Sequence, residues 1–130
     1  MLCAACRLQF ISPYNGNKVN GVRGSSVNFT WAFSGGGVDQ VQWGSQKDGV
    51  LVFERILVTV DKFATVTTTT DSPYNGRVNG VWDGRSPGQA TFTLSSIQKA
   101  DEKSYICNLS PKRFGALPVF DTVQLLVVGK

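Results

Sequence analysis

Three thiols, at Cys3, Cys6 and Cys107, and nine scattered carboxylates are the groups of this sequence that could attack, ligate or exchange protons, and no histidine is present to activate any of them. Without an imidazole, the Ser-His-Asp and Cys-His arrangements of nucleophilic catalysis are out of reach, as are the usual zinc sites. The carboxylates offer no recognisable acid and base pair, and no glycine-rich phosphate loop or metal-loop spacing occurs. The expectation is a protein that performs no chemistry and holds neither cofactor nor metal. Three cysteines allow at most one internal bridge and leave one thiol over. Two sequons, Asn28-Phe29-Thr30 and Asn108-Leu109-Ser110, are the remaining sites of possible modification and would carry glycans on a secretory route.

The elements that must position these groups follow from periodicity. In Asp101-Glu102-Lys103-Ser104-Tyr105-Ile106-Cys107, Tyr105 and Cys107 are two apart, so on a strand a phenol and a thiol point inward together while Ser104 and Ile106 point out. Asp101 just ahead suits a tight turn and accepts backbone hydrogen bonds. Val27, Phe29, Trp31 and Phe33 alternate strictly with polar or small residues, which marks the clearest half-buried strand of the chain. Val41 and Trp43 repeat the spacing. A ribbon from Val50 to Val60, broken by Glu54-Arg55, suggests one or two strands near a sheet edge with Ile56, Val58 and Val60, and Thr65 to Thr70 fits an exposed edge strand. Further strands are expected over Arg7 to Ile11, at Arg77 to Val81, over Gln89 to Ile97 with Phe92 and Leu94 inward, and over Thr122 to Val128 with Val123, Leu125 and Val127 on one face.

Nine or so short strands without a helical period indicate an all-β, two-sheet antiparallel sandwich. At 130 residues the chain is long enough for one core, expected over residues 7–128. Residues 1–6 then form an N-terminal segment, a signal or cloning remnant or the start of the first strand, and residues 129–130 a tail. A 42% hydrophobic content with 17% charge is globular, and no apolar run approaches a membrane span. The net charge of +4 arises from scattered basic residues with no block of lysines or arginines, which gives no nucleic-acid footprint. Ser-Pro-Tyr-Asn-Gly followed by Val-Asn-Gly-Val occurs twice, within Ser12 to Val22 and within Ser72 to Val81.

Taken in order, these pieces resemble a variable-type immunoglobulin domain: Gly24-Ser25-Ser26-Val27 into strand B, Trp43 on C, Arg77-Val78 opening D, Thr91-Phe92-Thr93-Leu94 as E, and Asp101 with Tyr105-x-Cys107 as F. The length between Trp43 and Cys107 leaves room for the C′ and C″ strands of the variable type. The resemblance implies a tyrosine corner at Tyr105, an ion pair between Arg77 and Asp101, and a core built on Phe29, Trp31, Trp43, Phe92, Leu94, Tyr105 and Cys107. The chain departs from the pattern where Trp31 occupies the place of the B-strand cysteine, so the usual inter-sheet disulfide cannot form. Cys107 then either bridges Cys6, which shares the parity of Leu8 and Phe10, or stays a buried free thiol that packs as a small hydrophobe. Lys103 also stands where the family prefers a small residue. The phrases WAFSGG and VQWG are similar to the membrane-distal domains of cnidarian immunoglobulin-superfamily proteins, including allorecognition receptors of colonial hydroids.

By parity Ile106 and Leu126 point away from the core, beside Leu51 to Phe53, with Gln40 and Gln42 flanking them. An outward apolar strip ringed by polar groups is a partner surface, expected to comprise Gln40, Gln42, Leu51, Phe53, Arg55, Ile106 and Leu126. The expected function is recognition of a protein partner by an extracellular domain, the ectodomain fragment of a type I membrane protein on the plasma membrane. The resemblance implies homophilic binding in trans, with a heterophilic immune-type receptor as the alternative. A carbohydrate-binding sandwich is the rival, with Trp82 and Asp83 as its candidate site. Asn28 alternates against Phe29 and Trp31 and so points outward, and Asn108 points outward beside Cys107.

Overall fold

The structure is a computed structural model and describes residues 7–11, 14 and 17–129. Ten strands follow one another: β1 (Gln9–Phe10), β2 (Asn17–Val22), β3 (Val27–Ser34), β4 (Val38–Gln46), β5 (Phe53–Asp61), β6 (Val66–Thr68), β7 (Val78–Val81), β8 (Gly88–Leu94), β9 (Ser104–Pro111) and β10 (Val119–Val128). Among the described residues one 3-10 turn, Lys99–Asp101, precedes β9. One sheet has the order β1-β3-β8-β7 and the other β2-β10-β9-β4-β5-β6. All pairs are antiparallel except β2 with β10. With β5 and β6 added to the larger sheet, this is the variable-type immunoglobulin sandwich.

The alternation read from the sequence places the core. Phe29, Trp31 and Phe33 of β3 and Phe92 and Leu94 of β8 are fully buried against Trp43 of β4 and Tyr105 and Cys107 of β9. The rings form one aromatic network: Trp43 stacks on Phe92 at 5.6 Å and 9°, Phe29 lies 5.2 Å from Trp43 and 5.3 Å from Tyr105, and Trp31 meets Phe92 at 6.2 Å. Such contacts add to the burial of their large apolar areas.

The strands depart from the sequence expectation in ways that bear on the surface. Strand β2 was not expected, because the two valines of Asn-Lys-Val-Asn-Gly-Val are three apart and do not alternate; its pairing along β10 makes it a strand. Glu54 and Arg55 do not interrupt the C′ ribbon but lie within β5, while Val50–Val52 form the end of the β4–β5 hairpin. Register shifts at Trp43/Gly44 and Ser45/Gln46 break the period of two along β5. Ile56 is thereby turned to solvent, and both Leu57 and Val58 are buried in the core.

Where the family would have a disulfide, the two sheets are tied by a hydrogen bond. The indole Nε1–H of Trp31 on β3 donates to Oδ2 of Asp121 on β10 at 2.8 Å, and both residues are buried. The same oxygen accepts the backbone N–H of Tyr14 at 2.6 Å, in the segment that carries the chain from β1 to β2. Asp121 is the cross-strand partner of Cys107, so the tie has moved one strand along the larger sheet, from β9 to β10. Nearby, the Tyr105 hydroxyl donates to the Asp101 carbonyl at 2.7 Å, which forms the tyrosine corner. The Arg77 guanidinium is bonded to the Asp101 carboxylate, which also accepts the Gln98 N–H at 2.8 Å.

A double-mutant cycle of Trp31→Phe and Asp121→Ala, read by urea denaturation, is expected to return a coupling of about 2 kcal/mol, the range for a hydrogen bond to a charged acceptor. A coupling near zero would show that ring volume alone, and not the bond, joins the sheets.

Candidate functional site

The outward face of the larger sheet presents β10, β9, β4 and β5 side by side. Its middle is a polar ladder. Gln42 of β4 lies opposite Asn108 of β9 and Thr59 of β5. The Asn108 amide donates to Gln42 Oε1 at 3.1 Å and to Ser110 Oγ at 3.4 Å, and the Gln42 amide donates to Thr59 Oγ1 at 3.4 Å. Gln40, Gln42, Phe53 and Leu126 are half-buried, and Leu51 and Arg55 are exposed.

Ile106 corrects the expected surface. It does point away from the core, yet it is 0% exposed. Its place is mid-sheet, between Thr122 of β10 and Gly44 of β4, where outward side chains on flanking strands close over one another. The open apolar area lies further along, where the sheet runs out: Val50, Leu51, Val52 and Ile56 are exposed at the β4–β5 hairpin and on β5. Glu54 and Arg55 stand within this area. Arg55 pairs with Asp71 at 2.8 Å with both side chains exposed, a contact of small net strength.

The two sequons fall into different environments. Asn28 is on the outer side of β3 and exposed, with its carbonyl oxygen accepting from the Thr93 hydroxyl at 2.8 Å. Asn108 is 7% exposed, and its amide nitrogen, the atom a glycan would need, is held in the polar ladder. It is on the outward face as expected but closed to a glycan.

Cys107 is a fully buried free thiol. Cys6, the partner weighed for it, and Cys3 lie outside the described residues. Burial raises the Cys107 thiol well above its usual range, with the charge of Asp121 adding to the effect. Burial also raises the Tyr105 hydroxyl, reinforced by Tyr74 and Asp101 and opposed by Arg77. Lys103, the other departure, is used locally: its ammonium donates to the Tyr74 hydroxyl at 3.2 Å and lies 6.0 Å from that ring's centroid. Trp82, the candidate aromatic for a carbohydrate, is buried with its Nε1–H donating to the Arg85 carbonyl at 2.9 Å. It offers no stacking face to a sugar.

The geometry supplies surfaces for association. Two residues that carry the architecture, Asp121 and Tyr14, were missed in the sequence. A lone aspartate among Phe120, Thr122 and Val123 at an inward position was the available signal for the first. The sequence matches no family model and no curated protein. Among solved structures, the chain is similar to mouse CRIg, with a TM-score of 0.66 at 16% identity over 94% of this chain and 98% of that one. It is also similar to a VGSC beta subunit, with a TM-score of 0.63 at 18% identity over 85% of this chain and 90% of that one. Both likenesses are of fold.

Passage through a secretory pathway is expected to add a glycan at Asn28 and none at Asn108, as peptide mass mapping would read; an occupied Asn108 would mean that the polar ladder opens. Alkaline pH is expected to destabilise the domain. The native state keeps the Cys107 and Tyr105 protons while the unfolded chain releases them above about pH 9, so the native state binds more protons there and stability falls as pH rises. Urea midpoints from pH 7 upward, compared with Cys107→Ala and Tyr105→Phe, would test this; a flat profile in the parent protein would contradict it.

Proposed function

We propose that this chain is an extracellular recognition domain that binds a protein partner without performing chemistry, and that the partner is a second copy of the same domain on an opposing cell. The observation that carries the reading is the open apolar ledge of Val50, Leu51, Val52 and Ile56, interrupted by the oppositely charged neighbours Glu54 and Arg55. A contact about a two-fold axis brings the same patch against itself, so each Glu54 can face the other copy's Arg55 while the apolar side chains bury one another. The exposed Arg55–Asp71 pair is weak enough to exchange for such a partner.

Other observations support the reading. The VGSC beta subunit of similar fold comes from a structure described in terms of multimeric cell-adhesive interactions. The WAFSGG and VQWG phrases resemble the membrane-distal domains of hydroid allorecognition receptors. Weak single contacts suit adhesion, because many domains in parallel supply the avidity.

Sedimentation across concentration, together with clustering of beads coated with the domain, tests self-association. Clustering is expected for the parent protein, its loss for Leu51→Asp and for Arg55→Glu, and its recovery in the charge swap Glu54→Arg with Arg55→Glu. Coated beads that stay dispersed, with a monomer at every concentration, would overturn self-binding and leave a different protein as the partner.

A further inference from the structure

The end of the sandwich opposite the Lys47–Val52 hairpin gathers four connections: 35–37 between β3 and β4, 62–65 between β5 and β6, 82–87 between β7 and β8, and 112–118 between β9 and β10. The pairs Val38 with Pro111, Gln40 with Asp61 and Phe33 with Gly88 place them there. Lying side by side on the surface, they form one patch. The Lys112 N–H donates to the Gly37 carbonyl at 3.0 Å, the Lys62 ammonium lies 3.7 Å from Asp39, and a Cβ on Gly84 would sit 2.4 Å from the Lys62 carbonyl oxygen.

Two of these connections are tight turns with a phenylalanine at the apex. Ala116 N–H donates to the Arg113 carbonyl at 3.1 Å with Gly115 at φ 80°, which lifts Phe114 wholly into solvent. In the other, Asp61 Oδ1 accepts from Phe63 N–H at 2.9 Å and Thr65 N–H at 3.0 Å, and Phe63 is left 78% exposed. Leu117 beside the first turn is 83% exposed. Each phenylalanine directly follows a cation, Arg113 or Lys62, and Lys62 lies 5.6 Å from the Phe63 centroid. The nearby carboxylates are engaged: Asp39 with Lys62, Asp83 with Arg85 at 3.8 Å, and Asp61 with its own turn. Lys112 and Arg113 form no ion pair among the described residues.

We propose that this end docks on an anionic phospholipid surface, with Phe63, Phe114 and Leu117 entering the headgroup region and Lys112 and Arg113 neutralising lipid phosphates and carboxylates. Convex apolar tips need a partner that deforms around them, which a bilayer does without a matching pocket. Aromatic and aliphatic side chains beside cations are the composition that lies in such an interface. The turns are already closed by hydrogen bonds, so little ordering accompanies insertion. Because the ledge at Val50–Ile56 begins at the opposite end of β4 and β5, this contact and the one proposed above do not exclude each other.

Flotation of the domain with phosphatidylcholine vesicles, with and without phosphatidylserine, tests the proposal. Binding is expected only to the anionic vesicles. It should weaken roughly tenfold or more in Lys112→Glu with Arg113→Glu and in Phe63→Ser with Phe114→Ser, and it should fall with added salt. The exposed positions of these side chains leave the fold intact, which circular dichroism would verify. Leu51→Asp should bind vesicles as the parent does, which separates this surface from the self-associating one. Equal partition to neutral and anionic vesicles, or a phenylalanine variant that binds like the parent, would overturn the proposal. So would capture by heparin without any vesicle binding, which would make the ligand a sulfated polymer.

Discussion

A buried carboxylate holds the two layers of this domain in register. Asp121 receives the Trp31 indole from the facing sheet and the Tyr14 backbone from the crossing between β1 and β2. A charge removed from water is tolerated only when donors meet it, and the two donors come from separate parts of the chain that must both be in place against β10. The Trp31 ring must lie flat enough in the core to meet Phe29 and Phe92 while its edge reaches β10, and Tyr14 must pack edge-on to it at 5.0 Å. The aromatic network and the crossing of the N-terminal strand therefore share one anchor.

The repeated wording of the sequence has a structural reading on the same principle. Tyr14 and Tyr74, which open the two copies of Tyr-Asn-Gly, lie where the chain passes between the sheets, from β1 to β2 and from β6 to β7. In both, the residue three after the tyrosine donates its N–H to the tyrosine carbonyl: Asn17 to Tyr14 at 2.7 Å and Arg77 to Tyr74 at 2.9 Å. Each crossing is followed by Val-Asn-Gly-Val with its glycine inward. A Cβ on Gly80 would sit 2.8 Å from Val58 and 2.9 Å from Phe92, and one on Gly21 would sit 2.4 Å from the end of Ile97. The tyrosines differ in their partners: the Tyr14 backbone N–H donates to Asp121, and the Tyr74 hydroxyl accepts from Lys103.

Much of this was legible because it depends on period and spacing. The strict alternation of Val27 to Phe33 and the Tyr105-x-Cys107 pair pointed to the correct faces, since a half-buried strand has no other way to separate apolar from polar side chains. The Arg77 and Asp101 pair followed from resemblance to a family and is present. What period could not reveal were contacts that join distant segments. Asp121 looks like any strand aspartate until Trp31 is brought 90 positions back to it. The bulges beside Gly44 break parity along β5 without a sequence marker, so Ile56 faces solvent although it is in step with the buried Val58 and Val60. Ile106 shows the converse: parity gave its direction correctly, but direction is not exposure when strands flank it on both sides. The exposed tips Phe63 and Phe114 went unread because a turn's apex has no periodicity to betray it.

The replacement of a covalent staple by a hydrogen bond changes what the domain is sensitive to. Among the described residues the sandwich contains no sulfur–sulfur bond, and its single thiol is sealed in the interior. Among the described residues the layers have no link that dithiothreitol or glutathione can cut. The tie between Trp31 and Asp121 thus forms without an oxidant, unlike the bridge that joins the layers in other domains of this architecture.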